Sequence, residues 1–140
     1  MGEAGLYVTK AIHTYFGSID QHPMSRHVTG IGGFFFRSDD HKAQAKWYYQ
    51  HFGINDPDHG WTWQQDAGPT VFSPFKRDSD YFDSKQSFML NLRVQDIDGL
   101  LKKLEADGVR IDPKRMDEDY GRFAWVYDPE GNKIELWEPK

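Results

Sequence analysis

Cysteine is absent from this 140-residue chain, which excludes a disulfide framework, a thiolate nucleophile and thiolate-ligated zinc. Nothing ties the chain to an oxidising compartment, and a cytoplasmic setting is expected. Long apolar runs are also missing, so no segment approaches the about 20 residues that cross a bilayer, and no membrane partner is expected. A net charge of −5 without any clustered Lys/Arg stripe argues against nucleic acid or an anionic membrane surface. The first residues lack a basic stretch followed by an apolar one, so a secretory signal is not expected. What is abundant is aromatic: 16% of residues, including five tryptophans, exceeds what a small core requires. Some of these rings are expected to line a pocket.

Residues 1–23 show no sustained period and read as an N-terminal extension, with Met24 as an alternative start and a short strand near Leu6–Thr9 or Ile12–Phe16. Residues 24–140 read as one domain. An apolar strand at Val28–Arg37 leads into an acidic helix start at Ser38-Asp39-Asp40, a helical run to Phe52 and a stop at Gly53. The order then repeats. Ser87–Val94 reads as a strand, Asp96 as an N-cap, and Ile97, Leu100, Leu101 and Leu104 recur at helical spacing before Gly108. Gly53-Ile54 and Gly108-Val109 thus match about 55 residues apart, the mark of an internal duplication. Shorter strands are expected at 60–65 and 69–73 in the first copy, and at 109–111, 122–127 and 133–137 in the second. The first unit spans about 28–75, a polar linker about 76–85, and the second unit about 86–139.

The last two strands flank an Asp128-Pro129-Glu130-Gly131 turn, in which Pro129 presets φ while Gly131 and Asn132 tolerate positive φ. Alternation then puts Ile134 and Leu136 on one face and Glu135 and Trp137 on the other. In 88–94, Phe88, Leu90, Leu92 and Val94 form a face suited to a helix, leaving Met89, Asn91 and Arg93 on the opposite one. By the same parity Gly32, Phe34 and Phe36 face inward from the first strand, joined by Thr70 and Phe72.

The hairpin, with Glu135 and Trp137 on its closing strand, resembles that of the vicinal-oxygen-chelate superfamily of glyoxalases, bleomycin-resistance proteins and extradiol dioxygenases. The resemblance covers 28–139 and implies an α+β fold: two βαβββ repeats whose curved mixed sheets carry helices outside and a ligand cup inside. It also implies a homodimer, since members of this fold commonly pair units across an interface. Metal-using members place ligands at positions that map here onto Gly32, Thr70, Met89 and Glu135, and only Glu135 is a ligand of the usual type. Catalytic metal sites generally need three protein ligands, and neither first strand contains a histidine. No cofactor is therefore expected, with a divalent metal at an unrecognised site as the alternative.

The candidate site is Glu135, with Phe34, Phe36, Trp61, Trp63, Phe72, Met89, Asn91, Arg93, Arg122 and Trp137 as ligand-binding residues. Glu135 is either a pocket carboxylate, acting as general base or hydrogen-bond acceptor, or a family relic paired with Arg93 or Arg122. Trp61 and Trp63 alternate on one face and either stack on a planar ligand or pack against the sheet. Arg122 either clamps an anion or pairs with Asp117, Glu118 or Asp119. Asp128 is expected to hold the turn. His13, His22, His41, His51 and His59 read as solvated or capping, with a site built on His41 and His59 as the sharper alternative. Two functions fit: metal-independent binding of a small molecule in an aromatic cup, or a glyoxalase-like enzyme acting on a small oxygenated substrate through Glu135. A partner-binding module that exposes aromatics on an open sheet is the third.

Overall fold

The computed structural model describes residues 27–140, so the expected extension, its strand, His13 and His22 lie outside the described residues. The chain divides into two compact units. One comprises Ser38–Asp66 and Arg77–Lys140, the other, among the described residues, 27–37 and Ala67–Lys76.

In the first of these, β1 (Leu90–Arg93), β2 (Ile111–Glu118), β3 (Gly121–Tyr127) and β4 (Lys133–Glu138) form one mixed sheet in the order β1-β4-β3-β2. β1 runs parallel to β4, and the other pairs are antiparallel. Helix α2 (Ile97–Ala106) is the crossover that a parallel β1–β4 pair requires. Asp96 accepts from the Gly99 N–H at its start, and Glu138 adds a second carboxylate on the Ile97 N–H at 2.6 Å. Both anions sit where the helix leaves donors unpaired. Register places Leu90, Ile134 and Val126 in one row and Leu92, Leu136 and Ala124 in the next. All but the half-buried Leu90 are buried, and they pack in the core with Ile97, Leu101 and Leu104 of α2.

Helix α1 (His41–Phe52) is capped by Asp40, accepting from the Ala43 N–H at 3.0 Å, and ends at Gly53 in the left-handed region (φ 67°). It docks on the β3–β4 turn. Gln44 Nε2 and the Tyr48 hydroxyl both donate to Asp128 Oδ2, at 2.9 and 2.8 Å. The same carboxylate accepts from the backbone N–H groups of Glu130 and Asn132, so Asp128 closes the turn and anchors the helix together.

Three expectations change. Residues 28–37, 60–65 and 69–73 enter no ladder among the described residues, where none of them has a strand partner. Gly30, Gly32 and Gly33 further weaken the first, and Pro69 lacks a donor in the third. Among the described residues, the expected first copy contributes one capped helix, and the four strands all lie in the expected second copy. β2 is longer than 109–111, running through Pro113 to Glu118. It is an edge strand, where a proline is tolerated, and a register shift between Ile111 and Arg115 absorbs it. The expected linker 76–85 is also more than a spacer. Gln86 is hydrogen-bonded to both the N–H and the C=O of Lys133, and the Lys133 ammonium donates to the Tyr81 carbonyl, which fastens this segment to β4.

Candidate functional site

Opposite α2, the sheet presents a face built from directly paired residues: Asn91, Glu135 and Trp125 in one row, and Arg93, Trp137, Phe123 and Met116 in the next. Paired side chains on one face stand about 5 Å apart at Cβ, close enough to hydrogen-bond. Asn91 Nδ2 donates to Glu135 Oε1 at 2.7 Å, and Trp125 Nε1 donates to Oε2 at 3.0 Å. The Tyr81 hydroxyl makes a third bond, also to Oε2, and its ring meets Trp125 edge-on at 6.0 Å. Glu135 is 2% exposed, and three donors from three parts of the chain satisfy it in place of water. Burial and the Glu135 charge both push the Tyr81 phenol well above its ordinary range, keeping it a neutral donor.

Lys133 precedes Glu135 by two residues and shares its face. Its Nζ lies 5.3 Å from the Tyr81 ring centroid and 5.5 Å from that of Trp125. Lys114 Nζ approaches the same indole, also at 5.5 Å. Burial lowers the Lys133 pKa and Lys114 adds to the effect, while Asp112 and Glu135 oppose it.

Among the residues expected at the site, Asn91 and Glu135 are in direct contact. Met89 is half-buried just before β1. Arg93 shares the face but donates to the Asp66 carbonyl at 2.7 Å rather than to Glu135. Trp137 also shares it, although buried: it stacks on Phe123 at 6.4 Å and donates to the Tyr120 carbonyl. Arg122 belongs to the other face. It pairs with Glu138 in register, donates to Asp98 at 2.8 Å and lies 4.0 Å from Asp117, so its main ion-pair partner is Asp98, which was not among those expected. Trp61 and Trp63 are exposed and outside any ladder. Phe34, Phe36 and Phe72 belong to the other compact unit, where the first two rings lie 5.7 Å apart. His41 is exposed, and His59 pairs with Asp56 at 2.6 Å.

Sequence reading missed Tyr81 as a partner of Glu135, and Lys133 beside it. The available signal was the Tyr81-Phe82 pair, two aromatics inside an otherwise polar segment.

Among the described residues, no group of three or more His, Cys, Asp or Glu side chains is placed to hold a metal ion. Glu135's neighbours are an amide N–H, an indole N–H and a phenol, each occupying a carboxylate lone pair that a cation would need.

Residues 19–136 match the family model of the Glyoxalase/Bleomycin resistance protein/Dioxygenase superfamily. The chain belongs to that superfamily. Its mixed sheet and two helices agree with the superfamily's α+β fold. No curated protein matches the chain. Among solved structures, a superfamily member from Sphaerobacter thermophilus is similar at 25% identity over 41% of this chain and half of that one, with a TM-score of 0.34. TnmS3, an antibiotic-binding protein from a Streptomyces species, is similar at 27% identity over 74% of this chain and 88% of that one, with a TM-score of 0.44.

Proposed function

We propose that this superfamily member binds a small molecule without a metal, on the sheet face organised by Glu135. One observation carries the reading: the Glu135 carboxylate is buried and already holds Asn91, Trp125 and Tyr81. A general base needs a lone pair directed at its substrate; Oε2 here accepts two donors and Oε1 one, which leaves a single lone pair, on Oε1. With three of its sites engaged, Glu135 is read as an orienting acceptor. It fixes the half-buried Asn91 amide and Tyr81 phenol, which with Arg93 and Met89 supply the contacts for a planar, oxygenated ligand. We further propose that the protein acts as a homodimer. Phe34, Phe35 and Phe72 are exposed on segments without a ladder, and a second copy would give these segments strand partners.

The test is a thermal-shift and tryptophan-fluorescence screen of planar and carboxylated small molecules, run with and without divalent metals. A ligand that stabilises the wild type, binds more weakly to Glu135→Gln and is recovered chemically unchanged supports the reading. Turnover of the ligand, or a metal-dependent stabilisation lost in Glu135→Gln, overturns it in favour of an enzyme.

A further inference from the structure

Cations on the two faces of the sheet are treated differently. On the α2 face, Arg122 has Asp98, Asp117 and Glu138 within 4.0 Å. On the Glu135 face, the ammonium groups of Lys133 and Lys114 each lie 5.5 Å from the centroid of the Trp125 ring, and neither has a carboxylate at ion-pair distance among the described residues. Register pairs Lys133 with Tyr127, whose ring carries the Arg110 guanidinium 4.0 Å from its centroid, a third cation in the same row. The two carboxylates in the neighbourhood, Asp112 and Glu135, are already engaged. Asp112 accepts from the Lys114 N–H and the Tyr127 hydroxyl, and Glu135 from Asn91, Trp125 and Tyr81. An ammonium has three donors, and the Tyr81 carbonyl takes one from Lys133. In a chain of net charge −5, this face thus keeps a half-buried cation beside a like charge. Holding like charges together costs free energy that a bound anion would remove.

We propose that Lys133 and Lys114 form an oxyanion subsite that takes the carboxylate of a small-molecule ligand, Lys133 as hydrogen-bond donor and Lys114 as a second cation. The contacts with Trp125, and with Tyr81 through both its ring and its carbonyl, keep the ammonium of Lys133 charged and in place. Its donors are therefore oriented before the ligand arrives, which lowers the ordering cost of binding. The anion approaches from the solvent side, where Lys114 is exposed and Lys133 half-exposed, and needs no cavity between the rings of Tyr81 and Trp125. The subsite deepens the ligand-binding reading above and rests on it for the remainder of the ligand.

The experiment is an NMR titration of the full-length protein at fixed ionic strength, following the Trp125 indole N–H and the ε-methylene signals of Lys114 and Lys133. Three probes are compared: 4-hydroxybenzoate, its uncharged analogue 4-hydroxybenzamide, and sulfate. The benzoate is expected to shift these signals saturably, and the amide to bind about fivefold more weakly, having lost the charge-assisted contact. Lys114→Gln, a change at an exposed position, should reduce that preference, and Lys114→Arg should keep it. Amide binding as tight as that of the benzoate overturns the subsite, and the ligand reading survives if Glu135→Gln still weakens both. A preference for the benzoate that is unchanged in Lys114→Gln also overturns it. Sulfate binding at the two lysines when neither ring compound binds supports the subsite and tells against the ligand reading. No saturable shift at either lysine with any of the three probes overturns the subsite outright.

Discussion

The Tyr48 hydroxyl donates to Asp128 Oδ2 at 2.8 Å, tying the helix of the first copy to the hairpin turn of the second. Asp128 is 4% exposed and also takes the Gln44 amide and the Asn132 side chain, so one carboxylate closes a turn and docks a helix. Tyr48→Phe removes one donor of several and should cost about 1 kcal/mol. Asp128→Ala strands Gln44 and Tyr48 and should cost about 3 kcal/mol. Urea denaturation of both single variants and the double one measures the coupling, expected at about 1 kcal/mol. Strict additivity would contradict the shared-anchor account.

Tyr48 and Tyr81 should resist ionisation while the protein is folded. Burial, followed by a carboxylate at hydrogen-bond distance, raises both phenols far above their ordinary 10.0. For a pKa raised on folding, the stabilisation is full below the unfolded value and is lost as pH climbs above about 10. In an absorbance titration at alkaline pH, at least two of the seven tyrosines should ionise only as near-ultraviolet circular dichroism collapses. Full ionisation with a native dichroism spectrum would refute this.

Acid should loosen the start of α1. Glu130 accepts from the Ser38 hydroxyl at 2.5 Å and the Asp39 N–H at 2.6 Å, which lower its pKa from the ordinary 4.5. A depressed carboxylate stabilises the fold above its unfolded pKa and ceases to as pH falls through the folded one. The difference in urea midpoint between wild type and Glu130→Gln should therefore be largest near neutrality and vanish in strong acid. A difference independent of pH would show that the carboxylate charge is irrelevant there.

Gly121→Ala should be among the most damaging single-methyl additions. Gly121 has φ 150°, and a Cβ there would overlap Trp137 Nε1 and lie 2.8 Å from the Glu138 carbonyl. The buried indole cannot withdraw without breaking its stack on Phe123. A loss of about 2 to 4 kcal/mol is expected from calorimetry. A melting temperature within a degree or so of wild type would mean that Trp137 relocates freely.

Glu135→Gln should destabilise even without ligand, because the amide presents N–H groups to partners that are themselves donors. Reversing one of three hydrogen bonds in a buried network should cost about 1 to 3 kcal/mol. Chemical denaturation followed by tryptophan fluorescence is the direct measurement. No loss of stability would remove the orienting role assigned to the carboxylate.

The sequence by itself determined what local periodicity and turn chemistry can specify. Asp40 and Asp96 begin the helices, Gly53 ends α1, the Asp128 turn joins β3 to β4, and Ile134 and Leu136 alternate with Glu135 and Trp137. Each is settled within a few residues, by a cap, a φ preference or a two-residue period. Parity also assigned Asn91 and Glu135 to the faces that the β1–β4 register then brings side by side. Only the tertiary structure decided the rest. That Arg122 faces α2, that 28–37 enters no ladder among the described residues and that β2 continues past Pro113 depend on which strand lies beside which. Tyr81, 54 positions from Glu135, reaches it from a segment with no period of its own. A hydrogen bond across that separation leaves no local trace in the chain, because its geometry exists only after the Gln86 and Lys133 contacts fasten that segment to the sheet.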